Sequence, residues 1–205
     1  TAIITVTEAP LTAGPSLTVN GVQGQSFTAT VATFTDANLA GKISDFTATI
    51  NWGDGTSSAG IIGQVSTPLG SPTQFTVTGT HVYPTVNSPG TTYPISVIIR
   101  DVDGPQITAT ATAAIGDAPL SSTGAIIRGV EGNSTGPVLI GTFTDTNPFS
   151  SITDFTTGGG SVTINWGDGT GTSTLPISAI SSLGSPSGVT YTVTAAHTYH
   201  SPGNY

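Results

Sequence analysis

The sequence has no cysteine and no methionine among its 205 residues. Without cysteine, neither disulfide bonds nor thiolate metal sites can stabilise the chain, so packing, backbone ladders or bound ions must do so. Without methionine, the initiator and any signal peptide lie outside this chain, and we expect a processed protein or a piece of a longer one. No apolar run approaches the roughly 20 residues of a membrane-spanning helix, so this segment is not expected to insert into a membrane.

Charge is also scarce. Charged residues make up 7% of the chain, with three Lys+Arg against eleven Asp+Glu and a formal net charge of −8. Such a surface repels phosphate backbones, which argues against nucleic-acid or anionic-lipid partners. Thr, Ser, Asn and Gly must provide most of the polar surface. This composition is typical of exported bacterial surface proteins and predicts an extracellular or cell-surface location.

The pattern of apolar residues predicts extended structure. Five segments alternate apolar residues with Thr or Ser at a period of two, which predicts half-buried strands. They are residues 26–36, 46–52, 74–83, 93–101 and 106–115. Turn signals rich in Gly, Pro, Asn and Asp separate them, and no segment has a helical stripe. Short strands with a turn every ten residues or so predict an all-β sandwich.

The chain also repeats itself. Residues 33–46 (TFTDANLAGKISDF) match residues 142–155 (TFTDTNPFSSITDF), and the heptapeptide INWGDGT occurs at 50–56 and at 164–170. A short insertion, TTGGG, precedes the second copy of the heptapeptide. The two halves are therefore predicted to be the same domain, at residues 12–120 and 121–205.

The alignment also assigns the two ends of the chain. Residues 1–11 (TAIITVTEAPL) match residues 110–120 (TATAAIGDAPL), which predicts that they are the closing strand of a preceding repeat. Tyr205 aligns with Tyr93, so the second domain is expected to be incomplete, truncated before its last two strands. A missing strand leaves backbone donors and acceptors unpaired. Either the chain is a window of a longer covalent array, or residues 1–11 of one subunit complete the second domain of its neighbour, head-to-tail.

An ordered set of motifs gives the chain a family resemblance. A strand ends in WGDGT, a later strand carries H-x-Y, SPG follows at 88–90, an aromatic opens YPISVIIRD, and a DVDG turn closes the set. This order resembles immunoglobulin-like domains of the polycystic-kidney-disease (PKD) type, across 12–120 and 121–205. The resemblance implies a seven-stranded β-sandwich that serves extracellular bacterial and archaeal proteins as a spacer, stalk, adhesive or accessory module, usually without catalysis. Long tandem arrays of giant bacterial surface proteins are especially similar.

The repeated heptapeptide and the H-x-Y motif contain the candidate structural residues. A tryptophan at the end of the strand can cover the end of a core. Two glycines around an aspartate suit a tight turn in which the carboxylate accepts backbone N–H groups, and the histidine is expected to hydrogen-bond to that turn or to a neighbouring strand. These residues are Trp52, Asp54, His81 and Tyr83, and then Trp166, Asp168, His197 and Tyr199.

Catalysis is not expected from the same groups. A hydrolase needs paired carboxylates or a nucleophile beside its base, and no such constellation is visible. His197 and His200 are three residues apart, so a strand would point them to opposite faces. The sequence predicts no enzymatic activity.

A metal site is the stronger functional candidate. Both repeats place oxygen ligands in the pattern D-x-N-x6-D, which suits Ca²⁺. The same short D-x-N loops form Asx turns without any metal, so both interpretations stay open. The residues are Asp36, Asn38 and Asp45, and then Asp145, Asn147 and Asp154. No cofactor other than calcium is indicated.

These observations predict a non-catalytic structural repeat of an extracellular stalk, filament, surface layer or adhesin, whose partners are neighbouring repeats or subunits arranged head-to-tail. The alternative is an accessory module of a larger secreted enzyme that binds a polysaccharide or a host cell surface. Exposure of the tryptophans discriminates between them, because a carbohydrate platform needs two or three coplanar exposed rings. Trp52 and Trp166 are expected to be largely buried.

Overall fold

The computed structural model of the chain describes residues 2–85, 92–102, 104–155, 161–176 and 179–205. The SPG motif at 88–90 and the insertion at 156–160 lie outside the described residues. The chain forms two compact units, Thr1–Asp117 and Ala118–Tyr205. Strands dominate both, joined by the 3-10 turns Ile43–Asp45 and Ile152–Phe155. Within the described ranges no helix could cross a membrane.

The first unit is an immunoglobulin-like sandwich of two sheets. One sheet has the strand order β1-β3-β7-β6 and the other β2-β9-β8-β4-β5. All neighbours are antiparallel except β2 and β9, which run parallel. The strands are β1 Leu11–Ala13, β2 Leu17–Val22, β3 Ser26–Asp36, β4 Phe46–Asn51, β5 Ser57–Ala59, β6 Ile61–Val65, β7 Thr73–Val82, β8 Thr92–Asp101 and β9 Gln106–Gly116.

The sequence resemblance implied seven strands, and the described residues of this unit form nine. Two additions account for the difference. The first strand divides into β1 and β2, which join different sheets, and β5 adds a short edge strand beside β4. All five strands predicted from alternation are confirmed: β3 has the predicted limits, and the others begin and end within one residue of them.

The core of this unit follows from that alternation. Every second residue is buried from Ile95 to Ile99 in β8 and from Ala109 to Ile115 in β9, so the large side chains of β8 face inward beside the alanines of β9. Three phenylalanine rings at 34, 46 and 75 fill one end of the sandwich, with centroids 4.8 to 5.1 Å apart. Trp52 and Tyr83 fill the other end, beside the last residues of β7.

The second unit repeats part of this plan. Its sheets are β10-β11-β15-β14, the equivalent of β1-β3-β7-β6, and β12-β13, the equivalent of β4-β5. Within the described part of this unit, β12 pairs with β13 alone, whereas β4 pairs with both β5 and β8. The strands are β10 Leu120–Gly124, β11 Val138–Asp145, β12 Ser161–Asn165, β13 Thr172–Pro176, β14 Ser181–Ser185 and β15 Gly188–Ala195.

The limits of the units differ slightly from the predicted domain limits. The sequence alignment assigned Leu11 and Leu120 to the repeat that precedes each. In the structure, both open the first strand of the unit that follows, where they lie opposite Asp36 and Asp145. Residues 2–10 form no strand.

Candidate functional site

The repeated heptapeptide forms a closed turn after β4. Gly53 and Gly55 have φ values of 82° and 91°, a conformation that glycine adopts without steric cost. Between them, the Oδ1 atom of Asp54 accepts hydrogen bonds from the Thr56 backbone N–H at 3.0 Å and hydroxyl at 2.6 Å. The backbone N–H of Trp52 donates to the Thr56 carbonyl at 3.0 Å, and this bond joins the turn to the end of the strand.

The end of β7 returns to this turn and completes what we call the Trp-His-Asp cluster, comprising Trp52, Asp54, Thr56, His81 and Tyr83. The Nε2 atom of His81 lies 2.8 Å from Asp54 Oδ2. The imidazole stacks on the Trp52 indole, with centroids 4.6 Å apart and planes 8° from parallel. Tyr83 packs edge-on against the imidazole and donates its hydroxyl to the Trp52 carbonyl at 2.8 Å. Trp52 is 0% exposed, so the cluster closes the end of the core.

The second unit builds the same cluster from Trp166, Asp168, Thr170, His197 and Tyr199. The His197 Nε2 atom lies 2.7 Å from Asp168 Oδ2, and the imidazole stacks on the indole at 4.4 Å and 6°. Thr170 again donates both its backbone N–H and its hydroxyl to Asp168 Oδ1, at 3.1 and 2.6 Å. Trp166 is 5% exposed.

The two clusters also agree in their outer contacts. Each indole Nε1 donates to a serine hydroxyl on the next strand, Trp52 to Ser58 at 3.0 Å and Trp166 to Ser173 at 2.8 Å. The tyrosine of each cluster stacks on another: Tyr83 on Tyr93 at 4.4 Å, and Tyr199 on Tyr205 at 5.0 Å. The ring stack, the histidine–aspartate contact, the threonine hydrogen bonds and the indole–serine hydrogen bond therefore occur twice.

The hydrogen bonds alter the acidity of the aspartates. For Asp168, the hydrogen bonds from His197 and Thr170 lower the pKa from its ordinary value of 3.8 to about 2. For Asp54, partial burial by itself would raise the pKa, but the hydrogen bonds from Thr56 and His81 outweigh it and lower the pKa. Both aspartates are therefore carboxylates at neutral pH.

The pKa of the neighbouring Tyr83 shifts in the opposite direction. Burial raises the pKa of Tyr83, and the charge of Asp54 raises it further. The Tyr83 hydroxyl therefore stays protonated and continues to donate to the Trp52 carbonyl.

The order of the groups decides what each cluster can do chemically. In a nucleophilic relay, the histidine lies between the hydroxyl and the carboxylate, so that it can accept the hydroxyl proton. Here the carboxylate of Asp54 lies between His81 and the Thr56 hydroxyl, and that hydroxyl donates to the carboxylate. A tryptophan covers one face of the imidazole. This geometry fixes a turn and does not activate a nucleophile.

The D-x-N loop of the first unit follows β3. Asp36 Oδ1 accepts the Asn38 N–H at 2.8 Å, and Asn38 Oδ1 accepts the Ala40 N–H at 3.0 Å, so two Asx turns follow one another. Asp45 Oδ2 accepts the Lys42 N–H at 2.8 Å, at the start of the 3-10 turn. Asp36 is buried, and the carboxylates of Asp36 and Asp45 bond to separate parts of the loop.

The second unit repeats these bonds. Asp145 accepts the Asn147 N–H at 2.8 Å, Asn147 accepts the Phe149 N–H at 2.9 Å, and Asp154 accepts the Ser151 N–H at 2.8 Å. Among the residues that the structure describes, no three His, Cys, Asp or Glu side chains are grouped as a metal site. The calcium interpretation stays untested, and the observed role of these side chains is to hold the loop.

Sequence reasoning missed the aromatic part of the cluster. The stack of His81 on Trp52 joins residues 29 positions apart at the ends of strands of different sheets, so its geometry depends on how the two sheets pack. One signal was available: residues two apart in a strand share a face, so His81 and Tyr83 had to point to the same side.

Comparisons with known proteins add little to this geometry. No protein-family model and no curated protein matches the chain. Among solved structures, it is similar to the crystal structure of Dpr2 Ig1-Ig2 in complex with DIP-Theta Ig1-Ig3, with 14% identity and a TM-score of 0.28 over 93% of this chain and 87% of that one. The fold assignment rests on the sheet topology described above.

Proposed function

We propose that this chain is a non-catalytic structural repeat of an extracellular stalk, filament, surface layer or adhesin, built from PKD-type immunoglobulin-like units. The observation that carries the proposal is the Trp-His-Asp cluster, which both units use to close a turn over the end of the core. In each cluster the aspartate, histidine and threonine side chains are engaged with one another or with backbone groups. Charged residues make up 7% of the chain, so Thr, Ser, Asn and Gly provide most of its polar groups, as suits a spacer.

The buried tryptophans favour this role over carbohydrate binding. A sugar platform needs two or three coplanar exposed rings, and Trp52 and Trp166 are 0% and 5% exposed. The most exposed aromatic side chains of the described ranges are Phe149 and Tyr205, and the ring of Tyr205 is already stacked on Tyr199. Of these two exposed rings, Phe149 alone is not stacked on another aromatic ring and could contact a sugar.

Two measurements test the proposal. Antibody labelling of intact producing cells is expected to detect the chain at the surface; labelling that requires permeabilised cells would contradict an extracellular role. Affinity electrophoresis in gels containing polysaccharides is expected to show no retardation, with Phe149→Ala as the matched control. Retardation of the native chain that Phe149→Ala abolishes would establish the accessory binding module instead.

A further inference from the structure

The connection between β10 and β11 contains a sequence that the structural role does not use. Residues 133–135 read Asn-Ser-Thr, the one complete Asn-x-Ser/Thr sequence of the chain, and neither Ser134 nor Gly136 is proline. In exported proteins this sequence is the acceptor signature for a sugar on the asparagine amide nitrogen. Such matches arise by chance in a chain rich in serine and threonine, so the position of the amide in the fold decides whether it is available.

Asn133 lies at the surface, at the end of a tight turn. Its backbone N–H donates to the Val130 carbonyl at 3.1 Å, and Gly132, inside the turn, has a φ of 74°, which glycine adopts without steric cost. Asn133 is exposed, and its side chain makes no hydrogen bond to any other residue that the structure describes. A Cβ on Gly136 would meet nothing within 4 Å. The surface beside the turn therefore has room for a bulky substituent.

The first unit builds the same turn with a different residue. The Gln25 N–H donates to the Val22 carbonyl at 3.1 Å, as the Asn133 N–H does to Val130. Gln25 is also exposed, in a unit that contains both β8 and β9, so the exposure of this turn does not depend on those strands. Residues 25–27 read Gln-Ser-Phe. The first unit thus has the turn without the acceptor sequence.

The Asn133 amide differs in its role from three other asparagines. The Oδ1 atoms of Asn38, Asn147 and Asn165 each accept a backbone N–H two residues further on, at 2.9 to 3.0 Å. Those amides hold the loops in which they lie. The Asn133 side chain holds none, so a sugar on its nitrogen would break no hydrogen bond of the described fold.

Thr135, the third residue of the signature, is engaged in the fold. Its hydroxyl donates to the Gly136 carbonyl at 2.9 Å and accepts the His197 N–H at 3.0 Å. Its backbone N–H donates to the His197 carbonyl at 2.8 Å. Because His197 belongs to the Trp-His-Asp cluster of the second unit, formation of that cluster fixes the Thr135 hydroxyl. An enzyme that reads this hydroxyl can reach it only before the unit folds or when the unit opens locally.

We propose that Asn133 is the attachment site of an N-linked sugar that is added before the second unit folds. The proposal rests on the extracellular role proposed above. The donor is a sugar diphosphate, whose diphosphate is carried on a lipid or on a nucleotide. In the transfer, the Asn133 amide nitrogen bonds to C1 of the sugar and loses a proton, while the C1–oxygen bond breaks and the diphosphate leaves with that electron pair. The product places a bulky polar group on the exposed turn.

Mass spectrometry of the peptide that contains Asn133, from chains recovered at the surface of producing cells, tests the attachment site. We expect this peptide to be heavier by at least one sugar. Asn133→Gln is expected to carry none and to melt like the native chain, because Gln25 occupies the same turn in the first unit. Thr135→Ser keeps the hydroxyl and should stay modified, whereas Thr135→Val, of nearly the same shape, should lower occupancy at least about ten-fold.

The outcome that overturns the attachment site is a surface-exposed chain with an unmodified Asn133. That outcome leaves the structural role intact, because surface labelling and polysaccharide binding decide the role separately. A sugar that persists in Asn133→Gln would also overturn the assignment.

The order of sugar transfer and folding has its own test. Unmodified chain, made in cells without the transferase, is added to membranes from cells that modify Asn133, either folded or while refolding from urea. The folded chain is expected to react at least about ten-fold more slowly, because only local opening frees the Thr135 hydroxyl. Equal rates would overturn the proposed order. Transfer by washed membranes without added nucleotide sugar identifies a lipid carrier, and a requirement for nucleotide sugar identifies a nucleotide.

Discussion

The imidazole of His81 lies parallel to the indole of Trp52, with ring centroids 4.6 Å apart. This stack joins the end of β4 to the end of β7, and the hydrogen bond from the imidazole to Asp54 adds the turn between β4 and β5. Three segments that are separate in sequence thus share one contact region over the buried end of the core. Loss of any member is expected to loosen both the turn and the packing beneath it.

Replacing Asp54 is expected to lower the stability of the first unit. Asp54→Ala removes the acceptor of three hydrogen bonds and should cost about 1–3 kcal/mol of unfolding free energy, because Thr56 and His81 lose their partner. Asp54→Asn should cost less, since the amide oxygen can still accept the Thr56 N–H. Urea unfolding followed by fluorescence measures both, in a Trp166→Phe background where Trp52 alone reports. Equal costs for Ala and Asn would show that the hydrogen bond from the Thr56 N–H contributes nothing measurable.

The two glycines of the same turn should respond unequally to alanine. Both have positive φ, so Gly55→Ala should cost about 1–2 kcal/mol through backbone strain alone, since nothing lies within 4 Å of the added Cβ. A Cβ on Gly53 would collide with the Pro94 carbonyl, so Gly53→Ala should cost about 1–3 kcal/mol more. Thermal melting of the two variants side by side isolates the collision. A Gly53→Ala variant no less stable than Gly55→Ala would contradict the placement of β8 against this turn.

The depressed pKa of Asp168 makes the second unit sensitive to acid. A carboxylate that is more acidic when folded stabilises the fold above its unfolded pKa of 3.8, and that contribution disappears as the pH falls towards about 2. We therefore expect the urea midpoint of the native chain to drop more steeply between about pH 5 and about pH 2 than that of Asp168→Asn. Parallel profiles for the two chains would show that the His197 and Thr170 hydrogen bonds do not favour the carboxylate.

The D-x-N loops should keep their folded conformation without calcium. Asp36→Ala is expected to lower stability by about 1 kcal/mol in chelator-treated buffer, because the Asn38 N–H loses its acceptor. Millimolar calcium is expected to leave the melting temperature of the native chain unchanged. A calcium-dependent rise that Asp36→Ala removes would instead establish the metal site. The same comparison with Asp145→Ala examines the second loop.

The strands were predictable because their alternation is local. In β8, inward Ile95 and Val97 alternate with Ser96 and Ile98, and the turn signals SPG and DVDG in the sequence predict where the strand is limited. The division of the first strand between two sheets was not predictable, since it depends on contacts with distant strands. The Gly14 N–H donates to the Thr33 carbonyl of β3, whereas Leu17 pairs with β9. Likewise, the sequence indicated the Asp54 turn but not the imidazole stacked above Trp52, because β4 and β7 belong to different sheets and only the packing of the two sheets brings those rings together.

The parallel pairing of β2 with β9 has a mechanical consequence. β2 lies near the N-terminal side of the first unit and β9 at its C-terminal side, and six residue pairs join them from Leu17–Ala111 to Val22–Gly116. Tension along the polypeptide pulls β2 back from Leu17 and β9 forward from Gly116, so the two strands are drawn past each other along their length. The ladder is then loaded in shear, and its hydrogen bonds must rupture together instead of one after another, as they do when a hairpin is peeled open. We therefore expect the β2–β9 ladder to resist unfolding when the two ends of the first unit are pulled apart.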